Sequence, residues 1–165
     1  MTKVLIFGTF DLLHKGHEFL IKEAYKYSEK GEVYAIVALD ETVKDIKGFY
    51  PNQKEKERLK ILNENKFITK AILGNEKDKN IDNKNDLNIE INNKNITLNK
   101  NIAEHITKIK PDIICIGYDQ TSFIKELEEL IRIEFPHIKL KRIKPYKEHE
   151  FKSSIIRNKL NKNQQ

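Results

Sequence analysis

The most chemically loaded stretch of this chain is His14-Lys15-Gly16-His17, two histidines three residues apart with a lysine and a glycine between them. It follows a short apolar run, Val4-Leu5-Ile6-Phe7, by way of Gly8-Thr9-Phe10-Asp11. Gly8 lets the chain turn at the end of a strand and lets a phosphate approach the backbone. Thr9 and Phe10 offer backbone donors at that turn. The His14–His17 spacing lets both imidazoles face one pocket, and Gly16 leaves room between them. A helical pattern runs from Glu18 to Lys30, so a helix N-terminus adds its amides and positive dipole end to the two imidazoles and Lys15. Together these make an anion site suited to nucleotide phosphates. Two histidines at this spacing are also compatible with a surface pair or half of a metal site. A metal would need a third ligand at matching spacing, and none stands nearby in the sequence, so no protein-held metal is expected.

The elements that must position this site read as alternating strands and helices. Strand-like apolar runs occur at Val4–Phe7, Val33–Leu39, Ala71–Leu73, Ile113–Ile116 and Ile138–Ile143, and most are continuous or nearly so, as in strands buried on both faces. Helical patterns occupy Glu18–Lys30, Asn52–Asn63, Ile102–Lys110 and Ser122–Glu134. Gly31 suits a C-cap for the first, and Asn101 an N-cap for the third. The expected fold class is α/β: a Rossmann-like parallel sheet of about five strands flanked by helices, with an Asn/Lys-rich insertion. Ligands of such sheets bind at the carboxyl ends of the strands.

The chain reads as one domain over residues 1–165, with residues 75–101 as an insertion within it. Asn is the commonest residue of that insertion, which has no Gly or Pro and suits a surface loop. Ile81, Ile89, Ile91, Ile96 and Leu98 offer a second reading, a small hairpin. The net charge is +6, from 31 Lys+Arg against 25 Asp+Glu, which favours anionic partners. The basic residues are spread along the chain without aromatic interleaving, so nucleotides are favoured over nucleic acid. No apolar run approaches the roughly 20 residues of a membrane span, and nothing at the N-terminus has the form of a signal peptide. The expected location is cytoplasmic. The lone cysteine, Cys115, sits in an apolar run and reads as a buried, inert thiol.

The Gly8–Asp11 and His14–His17 stretches resemble the Gly-Thr-Phe-Asp and HxGH signature of the cytidylyltransferase-like nucleotidyltransferases. The resemblance extends to Asp40-Glu41-Thr42-Val43-Lys44 with Lys47-Gly48, where lysines contact phosphates. It includes Arg58, the basic residue of the helix after Pro51, and Gly117-Tyr118-Asp119-Gln120, where nucleosides are contacted. It ends at Phe151–Arg157, whose Ser153 and Ser154 match a phosphate-binding helix start. The resemblance implies transfer of a nucleotide from a triphosphate to a phosphorylated acceptor, with release of pyrophosphate. It also implies Mg²⁺ bound with the triphosphate, and a homodimer.

Within that superfamily the chain is most similar to archaeal-type FAD synthetases. The shared stretches are Asp40–Lys44, Lys70–Gly74, Lys110–Ile114 and Gly117–Thr121, with a tyrosine at Tyr146. This similarity implies transfer of AMP from ATP to FMN. The alternative is a CTP-dependent enzyme acting on glycerol 3-phosphate or a similar phosphorylated alcohol. Such enzymes usually carry Arg-Thr-Glu-Gly before their C-terminal serines. Here that place is held by Pro145–Lys152. In this reading His14, His17 and Lys44 are catalytic. The nucleotide contacts are Thr9, Phe10, Lys15, Gly16, Asp119, Tyr146, Ser153 and Ser154. Asp11, Asp40, Lys47 and Arg58 serve substrate or phosphate. Asp11 has two readings of equal weight: orienting the site and its metal shell, or holding backbone amides.

Overall fold

The computed structural model describes residues 1–74, 86–91, 94–121 and 123–146, together with Ile155 and Asn158. In chain order the elements are β1 (Lys3–Gly8), α1 (Lys15–Tyr27), β2 (Glu32–Val37), α2 (Asp40–Lys47), α3 (Glu55–Asn63) and β3 (Lys70–Leu73). Then come β4 (Asp86–Ile91), β5 (Lys94–Asn99), α4 (Lys100–Ile109), β6 (Ile113–Ile116), α5 (Ile124–Glu134) and β7 (Lys139–Arg142). Five strands form one sheet in the order β3-β2-β1-β6-β7, and every pairing within it is parallel. The expected Rossmann-like α/β architecture is what the chain adopts.

Alternation along β1 explains both faces of the core. Val4 and Ile6 join one apolar cluster with Leu20, Ile21 and Ala24 of α1 and Leu62 of α3. Leu5 and Phe7 join another with Ile106 and Ile109 of α4 and Leu127, Leu130 and Ile131 of α5. Successive strand side chains point to opposite faces, so a continuous apolar run must be covered on both. Cys115 on β6 is fully buried, and burial raises its thiol pKa to about 12, which keeps it inert.

Strand order reverses between β1 and β6: β2 and β3 lie to one side, β7 to the other. That switch point opens a crevice at the strands' carboxyl ends, between the turn after Gly8 and the turn after Ile116. Gln120 bridges the two ends. Its Nε2 donates to the Phe7 carbonyl at 2.8 Å, and its Oε1 accepts from the Gly117 amide at 2.7 Å.

Several boundaries depart from the sequence expectations. The first helix begins at Lys15, so the HxGH stretch is its first turn and not a loop before it. Its C-cap is Ser28. Gly31 is needed for another reason: a Cβ there would lie 2.4 Å from the Thr2 carbonyl oxygen and 2.7 Å from that of Ser28. The third expected helix starts at Lys100, which puts Asn101 inside its first turn and not at its cap. The expected surface loop contains an antiparallel hairpin, β4 with β5, registered Asp86↔Asn99 through Ile91↔Lys94. The alternation Leu87, Ile89, Ile91 and Ile96, Leu98 is the period-two signal for it. Ile81, Ser153 and Ser154 lie outside the described residues.

An eight-residue helix, α2, was not anticipated. Its signals are present in the sequence: Asp40 and Glu41 in the first turn, Lys44 and Lys47 in the last, and Gly48 at the C-cap with φ 80°. Only Val43 is buried, so the helix gives the core a single apolar anchor.

Candidate active site

The site is built around the first turn of α1. His14 is the N-cap, with extended backbone at φ −132° and ψ 173°, and its Nδ1 accepts from the Gly16 amide at 3.1 Å. His17 occupies the third helical position, and its Nδ1 accepts from the His14 amide at 3.4 Å. The two histidines thus complete a reciprocal capping box with imidazoles where Ser and Glu usually stand. The rings stack with centroids 3.9 Å apart and planes 28° apart.

This arrangement fixes proton positions. A neutral imidazole has one donor and one acceptor nitrogen. Each Nδ1 accepts a backbone amide, so each ring carries its proton on Nε2. The rings also stay neutral. Burial lowers the His14 pKa, against an opposing pull from Asp119. Burial first, then His14 and Lys47, push His17 down to about 3. At neutral pH the turn therefore presents two preoriented Nε2–H donors at the positive end of the helix dipole, without holding a fixed positive charge.

The Gly8–Asp11 turn is held from below. Phe10 takes φ 54° and buries its ring to 2% exposure. The ring folds back over Gly8, where a Cβ would come within 2.9 Å of it, and it lies 5.6 Å from the His17 ring. Glycine is required at position 8 by this close approach. The Phe10 side chain is therefore part of the core, which leaves its backbone as the group available to a ligand.

Asp11 is buried, and its carboxylate holds the connection before α3. Oδ2 accepts from the Asn52 amide at 3.0 Å and its side-chain nitrogen at 3.3 Å; Oδ1 accepts from the Gln53 amide at 3.0 Å. Gln53 returns the contact, its Oε1 accepting from the Leu12 amide at 3.0 Å. Of the two readings for Asp11, holding amides is the one this geometry supports.

Arg58 departs from expectation. Its side chain is fully buried and donates to four oxygens: the carbonyls of Gln53 (3.0 Å), Thr9 and Ala38 (2.9 Å), and Asp40 Oδ1 (2.7 Å). A guanidinium so engaged has no open face for a phosphate. It ties the turn after β1, the end of β2, the start of α2 and the turn before α3 to one another. Asp40 belongs to the same clamp, and its amide donates to Glu55 Oε2 at 2.8 Å. Both are positioning residues.

The two lysines expected on a loop lie on α2. Lys47 Nζ donates to Thr9 Oγ1 at 3.1 Å, which brings it to the edge of the phosphate turn. Lys44 Nζ donates to the Gly48 carbonyl at 3.1 Å and lies 5.4 Å from the Tyr50 ring centroid. Lys15 is exposed at the first position of α1, and Gly16 follows it.

Across the crevice, Asp119 follows β6 and acts electrostatically on His14. Arg142 on β7, which the sequence reading did not single out, supports that turn by donating to the carbonyls of Gly117 (3.1 Å), Tyr118 (3.3 Å) and Gln120 (3.0 Å). An arginine ending an exposed edge strand carries no sequence signal for such a contact. Tyr146 stacks on Phe19 of α1, with centroids 5.0 Å and planes 21° apart. The structure thus gathers Thr9, His14, Gly16, His17, Lys47 and Asp119 at the switch point. It puts Asp11, Asp40 and Arg58 beneath them.

The chain is similar to several known proteins. A family model described as cytidylyltransferase-like matches residues 5–159. An FAD synthase of Methanobrevibacter smithii is 34% identical over 93% of this chain and 86% of its own length. An FAD synthase of Thermoplasma volcanium is 31% identical over 97% of this chain and 94% of its own. A crystal structure of a lipopolysaccharide core biosynthesis protein from Thermoplasma volcanium superposes with a TM-score of 0.66 at 32% identity, covering 88% of this chain and 98% of that one.

Proposed function

The chain belongs to the cytidylyltransferase-like family of nucleotidyltransferases, and from that premise we propose that it transfers AMP from ATP to FMN, forming FAD and pyrophosphate. The observation that carries the acceptor is the near-full-length match to archaeal FAD synthases. The CTP and glycerol 3-phosphate alternative is not favoured by those relatives, nor by the absence of Arg-Thr-Glu-Gly before Ser153.

The reaction needs no covalent enzyme intermediate. A phosphate oxygen of FMN attacks the α-phosphorus of ATP in line, the bond to the β-phosphate bridging oxygen breaks, and pyrophosphate leaves. Catalysis is positioning and stabilisation of charge on the phosphorus oxygens. His14 and His17 donate their Nε2–H groups to phosphate oxygens, and the positive end of the α1 dipole adds to them. Lys47 approaches from α2 and neutralises charge, with Lys44 behind it. Thr9 and Phe10 contribute backbone, and Asp119 and Tyr146 flank the nucleoside. Ser153 and Ser154 are assigned to phosphate on the sequence match alone.

Mg²⁺ accompanies the triphosphate. Among the described residues no group of three His, Cys, Asp or Glu side chains is placed to cage a metal, and Asp11 is occupied by amides. A hard cation with few protein ligands rests on phosphate oxygens and water. The family resemblance supports a homodimer, which light scattering tests. Among the described residues no helix is long and apolar enough to cross a membrane, in keeping with a cytoplasmic enzyme.

The direct test is to incubate the protein with ATP or CTP and Mg²⁺, offering FMN, glycerol 3-phosphate or phosphocholine. The expected result is pyrophosphate and FAD from ATP and FMN. Pyrophosphate only with CTP and glycerol 3-phosphate overturns the acceptor reading.

A further inference from the structure

The connection from α2 to α3 exposes apolar and aromatic side chains beside the phosphate turn. Ile46 is 52% exposed, Phe49 41% and Tyr50 49%. Among the described residues the other large apolar side chains so exposed are Met1 and Tyr27, which lie elsewhere in the sequence. Clustered exposed apolar surface marks binding more often than single exposed side chains do.

This segment is pinned to the nucleotide motif at both ends. At one end Lys47 reaches Thr9; at the other the amides of Asn52 and Gln53 are held by Asp11. Tyr50 stands two residues before Asn52, and two residues of chain span about 7 Å at most. Its backbone is therefore kept within about 7 Å of the Asn52 amide that Asp11 holds. Its ring is steadied as well: the hydroxyl lies 3.1 and 3.2 Å from the two carboxylate oxygens of Glu41. Lys44 and Lys54 bring ammonium groups to 5.4 and 6.0 Å from the ring centroid.

Exposed aromatic rings accompanied by lysine ammoniums, on a segment tied to the turn after β1, suit one kind of acceptor. It has a broad planar ring at one end and a phosphate at the other. We propose that Phe49 and Tyr50 form the platform on which the isoalloxazine ring of FMN stacks while its phosphate reaches toward Lys47 and the histidine turn. This deepens the acceptor reading and rests on it. The occupant is flavin and not adenine, because the platform belongs to the α2–α3 side of the motif. Asp119, assigned to the nucleoside, lies across the crevice on the β6 side.

The experiment uses the full chain with Phe49→Ala, Tyr50→Ala, the double variant and Tyr50→Phe. FMN binding is read by quenching of flavin fluorescence, and KM is measured separately for FMN and ATP. Stacking on an aromatic side chain is worth about 1–3 kcal/mol per ring, so the double variant should weaken FMN binding about tenfold or more. KM for ATP should stay within about twofold, and Tyr50→Phe, which keeps the ring, should bind FMN near the wild-type level. A wild type that uses FMN, with a double variant of unchanged FMN affinity, overturns the platform and leaves the acceptor reading standing. A double variant that loses only self-association, seen by light scattering with FMN affinity intact, also overturns it. A wild type that neither binds nor adenylates FMN overturns both readings.

Discussion

The HxGH turn and the α2–α3 segment both adjoin the Gly8–Asp11 turn but are held in opposite ways. The turn supports itself: His14 and His17 satisfy amides within their own four residues, at the start of the helix they cap. The α2–α3 segment is held by residues far away in sequence. Asp11 holds its amides from 41 and 42 residues off, and Arg58 ties Asp40, Ala38 and Thr9 together from α3. The first region brings donors whose protonation is preset. The second brings movable cations and exposed rings on a clamp. A site that joins two substrates gains from this division: the shared triphosphate chemistry is fixed locally, and the acceptor side can vary without disturbing it.

The comparison is broken most severely at Arg58. Arg58→Ala leaves Asp40 and three carbonyls without their donor, and breaking such a buried cluster costs about 3–5 kcal/mol. Urea denaturation should show this loss, and Arg58→Lys should recover only part of it. A variant of near wild-type stability would show that the clamp does not hold the segment. Asp11→Asn is smaller, since one oxygen can still accept; about 1–3 kcal/mol is expected, with KM for FMN rising more than KM for ATP. Equal changes in both would place Asp11 outside the acceptor side.

The histidine turn has its own signature in pH. His17 has a folded pKa near 3, below the ordinary 6.5. Between those values the unfolded chain binds a proton that the folded chain does not, so stability falls as pH falls through that window. The slope is at most about 1.4 kcal/mol per pH unit. Comparing urea midpoints of wild type and His17→Gln at pH 7 and pH 5 should show a smaller acid loss in the variant. The smallest effect is expected at Lys47. It is exposed, so Lys47→Met should raise substrate KM several-fold, within about 1 kcal/mol, and the difference should shrink with added salt. An effect as large as that of removing a histidine would make Lys47 a partner in the chemistry and not a neutralising charge.

The same contrast explains what the sequence could say. The His14–His17 turn and the central strands were legible because their causes are local: a capping turn, and apolar runs buried on both faces. The phosphate role expected of Arg58 was not upheld, because a single basic residue on a helix gives no sign that four oxygens converge on it. Helix α2 escaped notice because it is eight residues long and buries only Val43, too short an apolar stripe to stand out. Arg142 and the Asp11–Asn52 contacts depend on chain segments brought together only by the fold.

The most direct test is the rate of FAD formation from ATP, FMN and Mg²⁺ in wild type and His17→Ala, with circular dichroism confirming that both are folded. Loss of one preorganised donor to a developing charge costs about 10²–10³-fold in turnover. We expect a fall of that size, with the variant still folded and about 1 kcal/mol less stable for losing the His17 half of the capping box. Turnover by folded His17→Ala within a few-fold of wild type would contradict the assignment of the histidine turn to the transferred phosphate.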